Sequence, residues 1–106
     1  MKFSTDYIPA QDAWVKLGKY PQGNIALQVY NAEHKLLATA TVNMPQADLA
    51  PNEVIIKDYS ENAGMLTALI ELNIIKLTDW HIVEEFVAFP ICQLLPETEW
   101  LLPIID

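Results

Sequence analysis

Alternating apolar and polar residues predict a chain that is built mainly of strands. In NIALQVYN, residues 24–31, Ile25, Leu27 and Val29 alternate with residues suited to the opposite face, which is the period of a strand. Residues 35–43 follow after a short reversal and are rich in β-branched side chains, so we expect the two segments to pair as a hairpin. Similar patterns predict further strands at 13–20, 53–59, 74–85 and 86–95.

A change of period marks one helix in the second half of the chain. Met65, Leu66, Leu69 and Ile70 fall on one helical face, and Asn73 suits the left-handed conformation that often ends a helix. We therefore predict an α+β fold, with an antiparallel sheet of five or six strands and one short helix packed on one face.

Proline residues limit where strands can run. Two prolines in residues 44–53 predict a loop, and Pro90 predicts that its strand lies at a sheet edge or beside a bulge. The length of 106 residues is that of a single domain. Within it we expect residues 1–11 to be irregular and residues 96–106 to form an apolar tail punctuated by proline.

The composition indicates a folded, intracellular chain. Hydrophobic residues make up 52% of it and charged residues 19%, which is enough apolar surface to offset the chain entropy lost on folding. No apolar run approaches the roughly 20 residues needed to cross a bilayer, and the start of the chain lacks the apolar core of a signal peptide. A single cysteine, Cys92, excludes an internal disulfide, so we expect a cytoplasmic location.

Charge is distributed unevenly along the chain. In residues 1–57 five lysines balance five carboxylates, whereas residues 58–106 contain nine carboxylates and Lys76 as their single cation, and the whole net charge of −8 lies there. The chain contains no arginine. Nucleic acid and anionic membranes are therefore not expected partners. A protein with a basic surface is a suitable partner, although the same acidic residues also fit a surface that only aids solubility.

A polar stretch, KDYSEN, lies between the predicted strand 53–59 and the helix. Ser60 and Asn62 are good helix-capping residues, and Glu61 suits the positive end of the helix dipole. Gly64 lowers helix propensity, which points to a close approach of other atoms to its backbone. Capping does not explain Asp58 or Tyr59, so the stretch is either a junction or a contact site for a partner or ligand.

The run EVIIKDYSENAGMLTALIELNII resembles a family of small bacterial proteins of uncharacterised function that carry a KDYSENxGM-type signature. The resemblance extends over about residues 24–95 and implies a shared fold. It implies no activity. The family signature usually has an acidic residue where this chain has Ala63, so a charged role is not expected at that position.

No catalytic or metal-binding constellation is complete. Cys92 has apolar sequence neighbours, which favours a core position over a nucleophile. Asp79 and His81 would share a strand face, but no second histidine lies nearby to complete a metal site. An Asp58–Glu61 carboxylate pair is the best candidate acid and base. Three glycines are too few for a phosphate-binding loop, and we expect no cofactor.

Two tryptophans lie among carboxylates in the acidic half. Trp80 is flanked by Asp79, and Trp100 lies in ETEWLLP; such pairings are typical of binding hot spots, and also of core tryptophans with solvated neighbours. The candidate partner-binding residues are Asp58, Tyr59, Glu61, Asp79, Trp80, Glu84, Glu85 and Trp100.

Three functions fit these patterns. The first is a non-enzymatic, acidic protein-interaction domain, with a sharper version in which an accessory factor of a mobile element occupies the basic groove of a host defence enzyme. The second is a ligand-binding or enzymatic domain with its site at Asp58–Glu61. The third is a plain structural or oligomerising domain, in which the C-terminal tail could join two copies as a homodimer.

Overall fold

The computed structural model describes residues 2–95, so the predicted tail and Trp100 lie outside the described part of the chain. Four antiparallel strands form a first sheet in the order β1-β2-β3-β4. Their bounds are β1 Lys2–Phe3, β2 Gln11–Lys19, β3 Ile25–Asn31 and β4 Leu36–Thr39. The expected hairpin is confirmed as β3 and β4, while β1 adds a short strand within the segment expected to be irregular.

The remaining strands form a second antiparallel sheet in the order β5-β7-β6. Its strands are β5 Glu53–Ile55, β6 Ile75–Glu84 and β7 Val87–Leu94, and the helix α1 Met65–Glu71 lies between β5 and β6 in the chain. The prediction of antiparallel strands with one short helix is confirmed. The prediction of one sheet of five or six strands is wrong, because the seven strands within residues 2–95 are divided into sheets of four and three.

A short bridge joins the two sheets and explains why the chain divides there. The N–H of Ala40 still donates to Leu27 of β3 at 2.8 Å, and the chain then crosses to β5, so that Thr41 lies opposite Ile56. The backbone N–H of Val42 donates to Ile55 at 3.0 Å, and that of Lys57 donates to Ala40 at 2.8 Å. One predicted strand, 35–43, thus serves both sheets in turn.

Apolar side chains cover both faces of the second sheet. Since successive strand residues point to opposite faces, Val54 and Ile56 enter one buried cluster and Ile55 enters another. The first cluster lies with the first sheet and α1, and its large buried members include Phe3, Leu27, Met65, Leu69 and Ile74. The second contains Met44, Ile55, Phe89 and Ile91.

Pro90 lies in β7, the central strand, beside a bulge. The bulge prediction is confirmed and the edge alternative is wrong. The carbonyl of Pro90 accepts the N–H of Ile56 at 3.1 Å. The missing N–H of the proline therefore faces Ile56, just beyond the last β5–β7 ladder pair at Ile55–Ile91, where its loss costs one bond only.

Candidate functional site

The polar stretch before α1 is largely a structural junction. Asp58 Oδ1 accepts the backbone N–H of Leu66 at 2.9 Å, so Asp58 caps the helix from outside it. The residue at the N-cap position is Gly64, and it makes no side-chain capping bond. The prediction that Ser60 or Asn62 caps α1 is therefore wrong, because both belong to a short 3-10 turn that precedes the helix.

Asn62 fastens this turn to the first sheet. Its side chain is only 3% exposed, and Nδ2 donates to the carbonyl of Thr39 at 2.8 Å. Thr39 ends β4, where the strand edge would otherwise present an unpaired carbonyl. The amide thus continues the pairing that Lys57 and Ala40 begin at the bridge.

Gly64 is in close contact with Asp6, so the expected close approach of other atoms to its backbone is confirmed, although Gly64 lies at the N-cap and not within the helix. Gly64 has φ of 94°, a backbone conformation that residues other than glycine adopt only at a cost in conformational energy. The N–H of Asp6 donates to Ala63 at 3.0 Å and brings the N-terminal segment against the helix start.

An open cleft of about 630 Å³ lies beside the junction. Tyr7 and Tyr59 line it, together with Lys57 and Glu61, which form an ion pair. The hydrogen bond between them raises the pKa of Lys57 and lowers the pKa of Glu61. Tyr59 also packs edge-on against Phe89, with ring centroids 5.6 Å apart. Of the predicted residues here, Tyr59 and Glu61 border the cleft, and Asp58 is engaged in capping.

The second group of predicted residues lies on β6, around a bulge. The β6–β7 register passes from Leu77–Cys92 to His81–Pro90. Residues 78–80 of β6 therefore have no backbone ladder partners in β7. The hydroxyl of Thr78 donates to the carbonyl of Ile91 at 2.8 Å, and the N–H of Trp80 donates to the same hydroxyl at 3.1 Å. The bulge projects Trp80 outward, and 72% of its surface is exposed.

The β6–β7 hairpin closes through a two-residue turn of unusual composition. Glu84 pairs with Val87, and the turn residues Glu85 and Phe86 have φ of 48° and 68°. Such turns favour Asn and Gly at these positions, because other residues are strained when φ is positive. Phe86 is nevertheless fully exposed. The chain thus tolerates strain and keeps an aromatic ring in solvent at the tip.

Acidic and large apolar side chains are exposed together on this hairpin, and the carboxylates have no cationic partners in the described chain. Among residues 2–95, ion pairs join Lys2 to Asp12 and Lys57 to Glu61, and none involves a carboxylate of β6 or its turn. The lysines at positions 2, 16, 19 and 35 belong to the first sheet and its turns, and Lys76, which is exposed on β6, forms no ion pair with the carboxylates of the hairpin. We define the hairpin surface as Leu77, Asp79, Trp80, Val83, Glu84, Glu85 and Phe86, all of which are exposed.

The acidic members of the hairpin surface and Trp80 were predicted from the sequence as partner-binding residues, whereas its other apolar members were not. Phe86 was expected at the start of a strand, since Glu85-Phe86 carries no turn signal. Leu77 and Val83 have the sequence pattern of ordinary strand residues, yet both are exposed on β6, the outer strand of the second sheet. The junction and the hairpin surface are separate sets of residues, and Trp100 lies outside the described part of the chain.

Cys92 is buried, as predicted. Burial raises the pKa of its thiol to about 12, with a smaller contribution from Asp58. A thiol with so high a pKa is a poor nucleophile.

Within residues 2–95, no three histidine, cysteine or carboxylate side chains are grouped so that they could hold a metal ion. In the same residues, no helix combines the length and apolar character required to span a membrane. Comparison with protein-family models, with curated proteins and with solved structures finds no match. The resemblance to the KDYSENxGM family accordingly stays a prediction.

Proposed function

We propose that this chain is a non-enzymatic protein-interaction domain and that the hairpin surface binds a partner with a basic, partly apolar face. The observation that carries the proposal is the exposure of Trp80 and Phe86 on one hairpin, at 72% and 103% of their reference areas. Aromatic side chains dominate binding hot spots because each buries a large area at a small entropic cost.

The charge of the hairpin surface favours a basic partner. Asp79, Glu84 and Glu85 surround the aromatic anchors and lack cationic partners in the described chain, so lysines or arginines of a partner would meet complementary charge. Nucleic-acid-binding proteins commonly offer such basic grooves. We therefore extend the proposal to a mobile-element accessory factor that inhibits a host defence enzyme of this kind.

The candidate catalytic groups support a binding role over a chemical one. Asp58 is occupied by the N–H of Leu66, and Glu61 is paired with Lys57, which weakens the Asp58–Glu61 acid–base pair. Cys92 is buried in the core.

Site-specific photo-crosslinking in the source cell tests the proposal. A photoreactive residue at position 80 or 86 should capture the same protein, whereas one at exposed Lys35, in the β3–β4 turn, should not. Capture should fall when Glu84 and Glu85 are changed to glutamine, and in vitro binding of the captured protein should weaken as salt rises. Equal capture from position 35, or binding that is insensitive to salt and to both glutamine substitutions, contradicts it.

A homodimer through the same surface is less favourable. Two copies would bring their Asp79, Glu84 and Glu85 carboxylates together, and like charges across an interface cost several kcal/mol. Light scattering of the full chain at low and high salt checks this point. A dimer that dissociates in the Trp80→Ala variant would replace the hetero-partner with a second copy.

The cleft beside the junction supports a second candidate, the binding of a small aromatic ligand. Its volume of about 630 Å³ is in the range of ligand sites, and Tyr7 and Tyr59 provide stacking faces. Amide resonances of residues 57–62 should shift when a fragment library of aromatic alcohols is added, and Tyr59→Ala should abolish the shifts. Shifts that persist in that variant, or none at all, contradict this candidate.

A further inference from the structure

The free edge of β6 offers unpaired backbone groups next to the hairpin surface. The second sheet has the order β5-β7-β6, and no strand among residues 2–95 pairs with the outer side of β6. An exposed edge of this kind is a template on which an extended chain can form further ladder bonds.

Pro90 identifies which β6 groups point outward. Its carbonyl accepts the N–H of Ile56 in the β5 direction, so its backbone groups face β5. The opposite residue, His81, therefore shares no ladder bond with it. In an antiparallel pair of this type the N–H and C=O of the residue point away from the neighbour. Those of His81 thus lie on the free edge.

The β6–β7 turn shows independently that the backbone N–H and C=O of Val83, like those of His81, lie on the free edge. A two-residue turn is closed by a hydrogen-bonded pair, here Glu84 and Val87. Since bonding directions alternate along a strand, Glu84 and Ile82 face β7, and Val83 and His81 face outward. Four consecutive residues, 81–84, thus form a short edge with two outward positions.

The bulge and the turn place an aromatic anchor at each end of this edge. Trp80 precedes His81, and Phe86 follows Glu84 by two residues. Val83 between them is 64% exposed. The bulge also ends regular pairing on the other side of Trp80, which limits an added strand to a few residues.

We propose that residues 81–84 at the free edge of β6 take up an extended, lysine-rich or arginine-rich segment of a partner protein as an additional strand. This inference rests on the proposed function and adds its mode of binding. Backbone hydrogen bonds to His81 and Val83 fix the strand, Trp80 and Phe86 contact its apolar side chains, and Asp79, Glu84 and Glu85 attract its cations.

The test uses the full chain, labelled with nitrogen-15, and a ten-residue peptide of alternating lysine and valine. We expect the amide resonances of His81 and Val83 to shift on titration, together with the indole N–H of Trp80. A second peptide keeps the same side chains but is N-methylated at its four central residues. It should bind about thirtyfold more weakly, because two ladder bonds that together contribute about 2 kcal/mol are lost.

Protein variants provide a matched comparison. Val83→Pro removes an outward N–H and spares the bonds to β7, so it should weaken binding about fivefold relative to Val83→Ala. If Val83→Pro does not fold, the N-methylated peptide decides alone. Equal binding of the two peptides contradicts strand addition, as does failure of the lysine–valine peptide to bind or equal binding of a glutamate–valine peptide.

These outcomes separate the two proposals. If Trp80→Ala abolishes binding of both peptides while N-methylation has no effect, the hairpin surface binds through side chains, and only the strand-addition inference fails. If the photo-crosslinking test fails while the peptide still pairs with residues 81–84, the edge accepts strands but the proposed function of the hairpin surface fails.

Discussion

Asp6 packs directly against Gly64, so that a Cβ at position 64 would lie 2.7 Å from Asp6 Oδ1 and 2.9 Å from the Asp6 nitrogen. Gly64→Ala should therefore lower the free energy of unfolding by about 3 kcal/mol. About 1–2 kcal/mol of this comes from the left-handed backbone, and the rest from overpacking. Urea unfolding measures the loss.

Gly23→Ala is the matched control for this change. Gly23 has φ of 101° but no heavy atom within 4 Å of a Cβ built there. Gly23→Ala should therefore lower the free energy of unfolding only by the cost of the left-handed backbone, about 1–2 kcal/mol. Equal losses in the two variants would mean that the contact with Asp6 contributes nothing.

Removing the Asp58 carboxylate should destabilise α1. Asp58→Ala leaves the N–H of Leu66 without its partner at 2.9 Å, and the loss of a helix cap typically costs about 0.5–2 kcal/mol. Asp58→Asn keeps a side-chain oxygen and should recover most of the loss. Thermal unfolding of the three proteins makes the comparison, and an Asn variant as unstable as the Ala variant would argue against capping.

The Thr78 hydroxyl should control the bulge that presents Trp80. Thr78→Val preserves shape but leaves the carbonyl of Ile91 without its donor at 2.8 Å, at a cost of about 1–3 kcal/mol. Thr78→Ser retains the hydroxyl and should stay close to the parent. The indole N–H resonance of Trp80 should move in the valine variant and not in the serine variant; a resonance unchanged in both would contradict this role.

Cys92 should be protected from thiol reagents in the folded protein. Its pKa is raised from 9.0 to about 12 by burial, so at pH 8 a disulfide reagent should react only after urea is added. A folded protein that reacts as fast as free cysteine would contradict burial.

The raised pKa of Cys92 also makes the free energy of unfolding depend on pH in the alkaline range. The folded thiol holds its proton more tightly than the unfolded one, so its contribution is complete below about pH 9 and is lost as the pH rises toward 12. The difference in unfolding free energy between the parent and Cys92→Ala should shrink over that interval. A constant difference would show that the thiol does not titrate differently on unfolding.

Local patterns predicted the local elements well. The β3–β4 hairpin follows from alternation, and α1 follows from its apolar face; Asn73, with φ of 58°, ends the helix region as expected. The division into two sheets could not be predicted in this way. It depends on where the chain leaves β3 for β5 near Ala40, and residues 35–43 contain no proline, glycine or turn signal that marks this point.

The candidate site shows the same limit. Acidic residues and Trp80 could be found from the sequence, but the exposure of Val83 follows from a three-dimensional arrangement in which β6 is an outer strand, and that of Phe86 from its place in the β6–β7 turn. Asp58 caps Leu66 across eight residues, a separation that no capping motif contains. Sequence spacing identifies residues that are neighbours along a helix. The contact between Asp58 and Leu66 instead depends on how the 3-10 turn between them folds back on the chain.

The bridge between the sheets has a consequence for how the molecule opens. Val42 and Lys57 donate the hydrogen bonds that join one sheet to the other, and the first apolar cluster draws residues from both sheets. Neither sheet can detach without exposing that shared interior, so partial unfolding of one half is disfavoured. Deuterium should enter these two amides only at the rate of whole-molecule opening, which makes them reporters of cooperativity.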